Sequence, residues 1–172
     1  VIQLVEFISY DKKVTEKELE FLESVASAFN ISQNEFLNIR DFITRSVKNI
    51  HDKSKVMVIN NSETSPHPDV KHIWNKNLSG EIYFLNIPET NTYILNYVGN
   101  DDLYLNCQNI LPGLTYTFDR GSSIRNSNID TVYYSDIAGK FSKIGPGSKI
   151  SIKANNVVFR FKNSNNGIQD FS

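Results

Sequence analysis

The chain has 172 residues, 40% hydrophobic and 22% charged, with a formal net charge of −1. This length suits one domain or two small ones, and the near-zero charge speaks against a nucleic-acid partner, which a basic face would announce. The single cysteine, Cys107, excludes a disulfide framework or a cysteine-based metal site within one chain and fits a reducing compartment. No apolar run approaches the roughly 18–20 residues that cross a bilayer, so no direct membrane insertion is expected, and no signal-peptide pattern opens the chain. A start at Val1 rather than Met leads to the expectation of a piece of a longer protein.

Residues 1–52 read as helical. Val1, Leu4, Val5 and Ile8 recur on one helical face, and Asp11-Lys12-Lys13 makes a turn. Thr15-Glu16-Lys17-Glu18 is a capping box, in which the Thr hydroxyl serves the amide three residues on and the Glu reaches back. Leu19, Leu22, Val25, Ala26 and Phe29 follow at helical spacing, and Asn30 ends that helix. Ser32-Gln33-Asn34-Glu35 is a second capping box, opening a helix that carries Phe36, Ile39, Phe42, Ile43, Val47 and Ile50. So short a helical segment buries too little surface alone. It is expected to pack on a missing N-terminal part, on the β region or on another chain, including a second copy. The stretch VEFISYDKKVTEKELEFLESVASAFNISQNEFLNIRDFI resembles the C-terminal half of a tellurite-resistance TerB-like helical domain. The resemblance implies a helical hairpin, in a family whose turn acids are thought to hold a metal. Here that turn places lysines where a cation needs oxygens, so no metal is expected.

Residues 53–69 read as a linker. Asn60 to Asp69 is polar and holds Pro66 and Pro68, which favour a loop. Val56-Met57-Val58-Ile59 just before it is a short strand candidate. His51, His67 and His72 are all the histidines. Zinc needs three or four convergent ligands, so these are expected to be loop residues rather than a metal site.

Residues 70–137 change to a period of two. Strands are predicted at His72–Asn75, Glu81–Ile87, Tyr93–Val98, Leu103–Asn106, Thr115–Asp119, Ser123–Arg125 and Val132–Ser135, with Gly, Pro and Asn turns between them. The spacing predicts an antiparallel sandwich or barrel. Asp101, Asp102 and Asp119 fall at turns, where Asp serves the backbone. Ser122 and Ser123 have nothing to orient them as nucleophiles, so no catalytic residue is expected. Tyr133 and Tyr134 are expected to split between two faces. Arg120 and Arg125 flank a turn and are the candidates for anion or phosphopeptide binding. The stretch TYILNYVGNDDLYLNCQNILPGLTYTFDRGSSIR resembles the second half of a forkhead-associated (FHA) β domain. Leu105-Asn106-Cys107 stands at that family's Asn-Gly motif and Phe118 to Ile124 at its last strand motif. Cys107 replaces the usual Gly and Ser122 the usual Asp. The Gly-Arg and Ser-x-x-His that read phosphothreonine are absent, with Asp69 three residues before His72. The resemblance therefore implies a degenerate FHA-like domain.

Residues 138–149, with the flexible Gly145-Pro146-Gly147, read as a second linker. The final segment, 150–172, alternates at Ile150, Ile152, Val157, Phe159 and Phe161, which predicts a β-hairpin-like piece. Its Asn156–Phe161 and Gly167–Ser172 resemble the opening of an ABC-transporter ATPase domain. The resemblance implies that Phe161 stands at the adenine-stacking position, where a phenyl ring can serve; an ordinary strand aromatic is the equal alternative. The phosphate-binding loop G-x-x-x-x-G-K-[ST] is not within the 172 residues.

The expectation is thus an α+β chain of a TerB-like helical hairpin, an FHA-like antiparallel β domain and the start of a truncated ABC ATPase domain. Its expected function is a non-catalytic accessory or regulatory region of an ABC-transporter ATP-binding protein. The parent would use ATP and Mg²⁺ to drive export, bound to a transmembrane subunit at the cytoplasmic side of the inner membrane. The alternative is a self-contained phosphopeptide or protein-interaction module.

Overall fold

The computed structural model describes residues 1–9, 14–44, 50–65 and 67–142. The expected turn Asp11-Lys12-Lys13, Val47, Pro66, residues 143–149 of the expected second linker and the whole 150–172 segment with Phe161 lie outside the described residues. Val1–Phe141 form one compact unit, and the chain from Ser142 a second.

Three helices open the first unit: α1 (Ile2–Ile8), α2 (Glu16–Ala28) and α3 (Gln33–Thr44). The first capping box closes as predicted. Glu18 N–H donates to Thr15 Oγ1 at 3.4 Å and Thr15 N–H to Glu18 Oε2 at 2.7 Å. Asn30 leaves α2 in the left-handed region, at φ 59°, a conformation that Asn tolerates at a helix end. The apolar stripes converge on a small core of Val5, Leu22, Ala26 and Phe36.

The β region forms two sheets. The first runs β2 (Lys71–Trp74), β1 (Val56–Asn60), β3 (Gly80–Ile87), β4 (Thr92–Gly99), β7 (Thr115–Phe118). The second runs β6 (Gln108–Ile110), β5 (Leu103–Leu105), β8 (Ser123–Arg125), β9 (Val132–Tyr133). They share one core. Met57, Ile59, Phe84 and Leu95 come from the first sheet, and Leu103, Ile110, Ile124 and Val132 from the second. Because side chains alternate along a strand, Val56, Val58, Leu85 and Ile94 face the other way, where Ile39 and Phe42 of α3 seat on them. Both faces of the first sheet are therefore covered, and β1 is buried at every residue. The helices pack on the β region, one of the three partners expected for them. A polar tie adds to this contact: Thr115 N–H on edge strand β7 donates to Glu6 Oε1 of α1 at 2.8 Å.

The chain is thus mixed α+β, with two sheets in which antiparallel pairing predominates, and no helix among the described residues is long and apolar enough to cross a membrane. Four details differ from expectation. The span read as a 53–69 linker contains β1, an interior strand paired with β3 and, in parallel, with β2. Its apolar run without alternation is what burial on both faces requires, and the loop begins only after Asn60. Gln108–Ile110, for which no strand was predicted, pairs with β5 across Asn106-Cys107. Both turn residues have positive φ, 49° and 72°, the type I′ geometry that brings two strands into a tight hairpin. The predicted strand Val132–Ser135 stops at Tyr133, and Tyr134–Phe141 form a helix, α4. The expected second linker thus starts inside a helix. Tyr134, Ile137, Ala138 and Phe141, at helical spacing, all pack on the inter-sheet core, and that apolar contact holds the helix across Gly139.

Candidate functional site

The second capping box forms only in half. Glu35 N–H donates to Ser32 Oγ at 3.4 Å, but the Glu35 carboxyl does not return to the Ser32 backbone. It turns instead to Glu89, in the turn Pro88-Glu89-Thr90-Asn91 between β3 and β4. Glu89 takes up that position instead, where the Ser32 hydroxyl and N–H help to lower its pKa. The N-terminal end of α3 is thus approached by a carboxylate from the β3–β4 turn.

This exchange leaves Glu35 in an unusual place. The residue is 5% exposed, and its Oε1 has no hydrogen-bond donor within reach. Burial first, then the hydrogen bond to Glu89 and that group's charge, push its pKa up to about 7, against the pull of Lys55. Glu89 is held below the usual carboxylate range by the hydrogen bond from Glu35, then by Ser32 and Lys55. Two neighbouring carboxyls whose affinities are driven apart share one proton; here Glu35 is the acid and Glu89 the acceptor. The pair borders a groove of about 490 Å³ between the helices and the sheet, floored by Ile2, Phe29, Ile31, Ile39 and Ile87. Chemically, the pair can take up or release a proton near neutral pH at a helix–sheet junction.

A second polar cluster lies at the end of β1. Asn60 is 3% exposed. Its Nδ2 donates to Glu81 Oε1 at 3.0 Å, and its Oδ1 accepts from Ser62 N–H at 3.1 Å. His72 Nε2 lies 2.9 Å from the same Oδ1. An amide oxygen only accepts, so Nε2 carries the hydrogen. Tyr83 donates to the other Glu81 oxygen. Burial, then Lys140, lowers the His72 pKa, and burial, then Glu81, raises that of Tyr83. The cluster closes on itself and fastens β2, β1 and β3 together. His72 is a sheet residue, as the strand predicted from His72 has it and not the loop reading, while His51 and His67 do lie in loops.

The other sequence candidates are mostly occupied by structure. Asp101 accepts from Ser79 N–H at 2.7 Å and holds the turn after β4. Ser122 Oγ accepts from Asn106 Nδ2 at 3.1 Å and from Asp119 N–H at 3.2 Å, which binds the β5–β6 hairpin to the β7–β8 turn. Tyr133 is exposed, and Tyr134 packs against Tyr93 and Phe118, so the two do part. Arg125 Nη2 donates to Cys107 Sγ at 3.0 Å, and Arg120 is exposed in the turn between β7 and β8. Among the described residues, no group of three or more His, Cys, Asp or Glu converges as a metal site. Sequence reasoning missed the Glu35–Glu89 pair because Ser32-x-x-Glu35 satisfies a purely local motif. Nothing near Glu89 signals that it competes for the same amide. No protein-family model, curated protein or solved structure matches this chain.

Proposed function

We propose that residues 1–141 are a non-catalytic accessory module of an ABC-transporter ATP-binding protein, pairing a TerB-like helical layer with a degenerate FHA-like β unit. The observation that carries this reading is the segment behind the compact unit, where Asn156–Phe161 and Gly167–Ser172 resemble the opening of an ABC ATPase domain. Two features of the unit support it. The polar side chains that chemistry would need, Asn60, His72, Asp101 and Ser122, are engaged in internal hydrogen bonds. The helices join the sheet through an apolar core, so whatever reaches one layer is felt by the other. In this reading the ATP and Mg²⁺ chemistry belongs to a phosphate loop farther along the parent. Phe161 forms one wall of the adenine pocket, and a transmembrane subunit holds the parent at the cytoplasmic face of the inner membrane.

The test starts with the coding sequence beyond Ser172. A G-x-x-x-x-G-K-[ST] motif within about 30 residues is expected, and its absence overturns the reading. In the longer protein, deletion of residues 1–141 is expected to alter the regulation of ATP hydrolysis while hydrolysis itself persists. The rival reading, a phosphopeptide-binding module, is favoured by the two exposed arginines, Arg120 and Arg125, that flank the β7–β8 turn and β8. Titration with phosphothreonine peptides decides it: saturable binding lost in the R120A/R125A double variant supports that module, and no binding below millimolar concentration rules it out.

A further inference from the structure

We propose that the Glu35–Glu89 contact is a proton-operated latch between the helical layer and the β3–β4 turn, closed when the pair holds one proton and loosened when both carboxyls are ionised. The argument begins with the geometry. Glu35 lies on α3, Glu89 on a turn of the first sheet, and each touches the other rather than its own local backbone motif. One proton turns two acceptors into a donor and an acceptor, which satisfies the Glu35 Oε1 that otherwise has no donor. Loss of that proton leaves a charge on the buried Glu35 beside the exposed, ionised Glu89, and the Glu35 end must open for its charge to be solvated.

The groups around the pair set its balance. Lys55, in the 3₁₀ turn before β1, faces both carboxyls. The start of α1 brings the apolar Val1 and Ile2 to the groove. The end of α2 brings uncharged Phe29 and Asn30, and the sheet Ile87. On α3 itself the nearest charged pair, Arg40 with Asp41, is closed at 2.8 Å. One positive side chain opposite two carboxyls cannot neutralise both, so the proton is the remaining means of closing the contact.

The direction of the pH response follows from linkage. Glu35 has a raised folded-state affinity, so its contribution is fully present below about pH 4.5 and is lost as pH rises to about 7. Glu89 has the opposite sign: its contribution is present above about pH 4.5 and is lost on further acidification. The latch is therefore tightest in mildly acidic solution and looser above neutrality.

The test is amide hydrogen exchange on the full 172-residue chain, read by mass spectrometry and corrected for the intrinsic pH dependence of exchange. Peptides covering the start of α3 and the β3–β4 turn are expected to lose protection by up to about tenfold per pH unit between about pH 5 and 7, then level off. Peptides from β5 and β8 are expected to hold constant and serve as the internal reference. E35Q keeps a donor toward Glu89 without a titrating proton, and its protection is expected to be flat over that range. A flat wild-type profile, or an E35Q profile that falls like the wild type, overturns the proposal. The wild-type pH series stands by itself if E35Q does not fold. Neither outcome bears on the phosphate loop beyond Ser172, so this proposal and the transporter reading fail separately.

Discussion

Substitution Phe42→Ala asks whether the helices and sheets are one cooperative body. Phe42 sits on α3, buried against Val56, Val58, Leu85 and Ile94 of the first sheet. Removing a buried phenyl ring costs about 3–5 kcal/mol, part lost transfer and part cavity. At a urea slope of about 2 kcal/mol per molar, the unfolding midpoint falls by about 2 M. Two probes separate the layers. Far-ultraviolet circular dichroism at the helical band follows α1 to α3, and fluorescence of Trp74, the sole tryptophan, follows edge strand β2. Because the truncated contact joins the layers, both transitions are expected to move together by the same amount. A loss of helical signal in less urea, with the Trp74 transition unmoved, would refute the reasoning and restore residues 1–52 as a separate unit.

Three further substitutions probe the β region. Tyr97 is fully buried, and its hydroxyl donates to the Ser79 carbonyl at 2.9 Å and accepts from Asp101 N–H at 2.7 Å. Tyr97→Phe is therefore expected to cost about 1–3 kcal/mol in a urea titration. Gly99→Ala sets a methyl group against the Ser79 carbonyl and the Tyr97 hydroxyl. A loss of about 2–4 kcal/mol is expected, and a melting temperature unchanged from wild type would show that the turn yields. Cys107 holds φ 72° in the β5–β6 turn, where glycine is at ease, so Cys107→Gly is expected to raise stability by about 0.5–1 kcal/mol in a thermal melt.

How much of this was legible depends on the range of the interactions. The Thr15 capping box, the helical stripes and the strands carrying Ile82, Phe84, Ile94 and Leu95 follow from neighbours a few residues apart, and the structure reproduces them. β1 was legible as a short strand at Val56–Ile59 but not as an interior one, because a strand buried on both faces lacks the alternation that assigns its sides. The α4 stripe of Tyr134, Ile137, Ala138 and Phe141 is only about two turns long and runs into residues read as a strand and a linker. The parallel pairing of β1 with β2 is decided by the shared sheet, since nothing in the 61–70 loop specifies it. Glu35 was legible as an N-terminal residue of α3 but not as a buried acid. That property depends on Glu89, which is 54 positions away in the numbering and reaches Ser32 only once the sheet is formed.

Helix α3 is where these strands of the argument meet. Phe36 belongs to the helical core, while Ile39 and Phe42 belong to the core shared with the sheet. Asn38, also buried, accepts Asp52 N–H at 3.0 Å and so fixes the entry to β1. Glu35 stands at the N-terminal end of the same helix, where the Glu89 carboxylate also approaches Ser32. Burial disfavours the charge on Glu35, while Ser32 helps hold Glu89 ionised, and together these keep the shared proton on Glu35 rather than on its partner. The apolar contacts of Ile39 and Phe42 do not titrate, so they hold the helix on the sheet at every pH. Proton loss is thus confined to the first turn of α3. The expected change is a local loosening about the Ser32 end, with the Phe42 end as its anchor, and not a separation of the two layers.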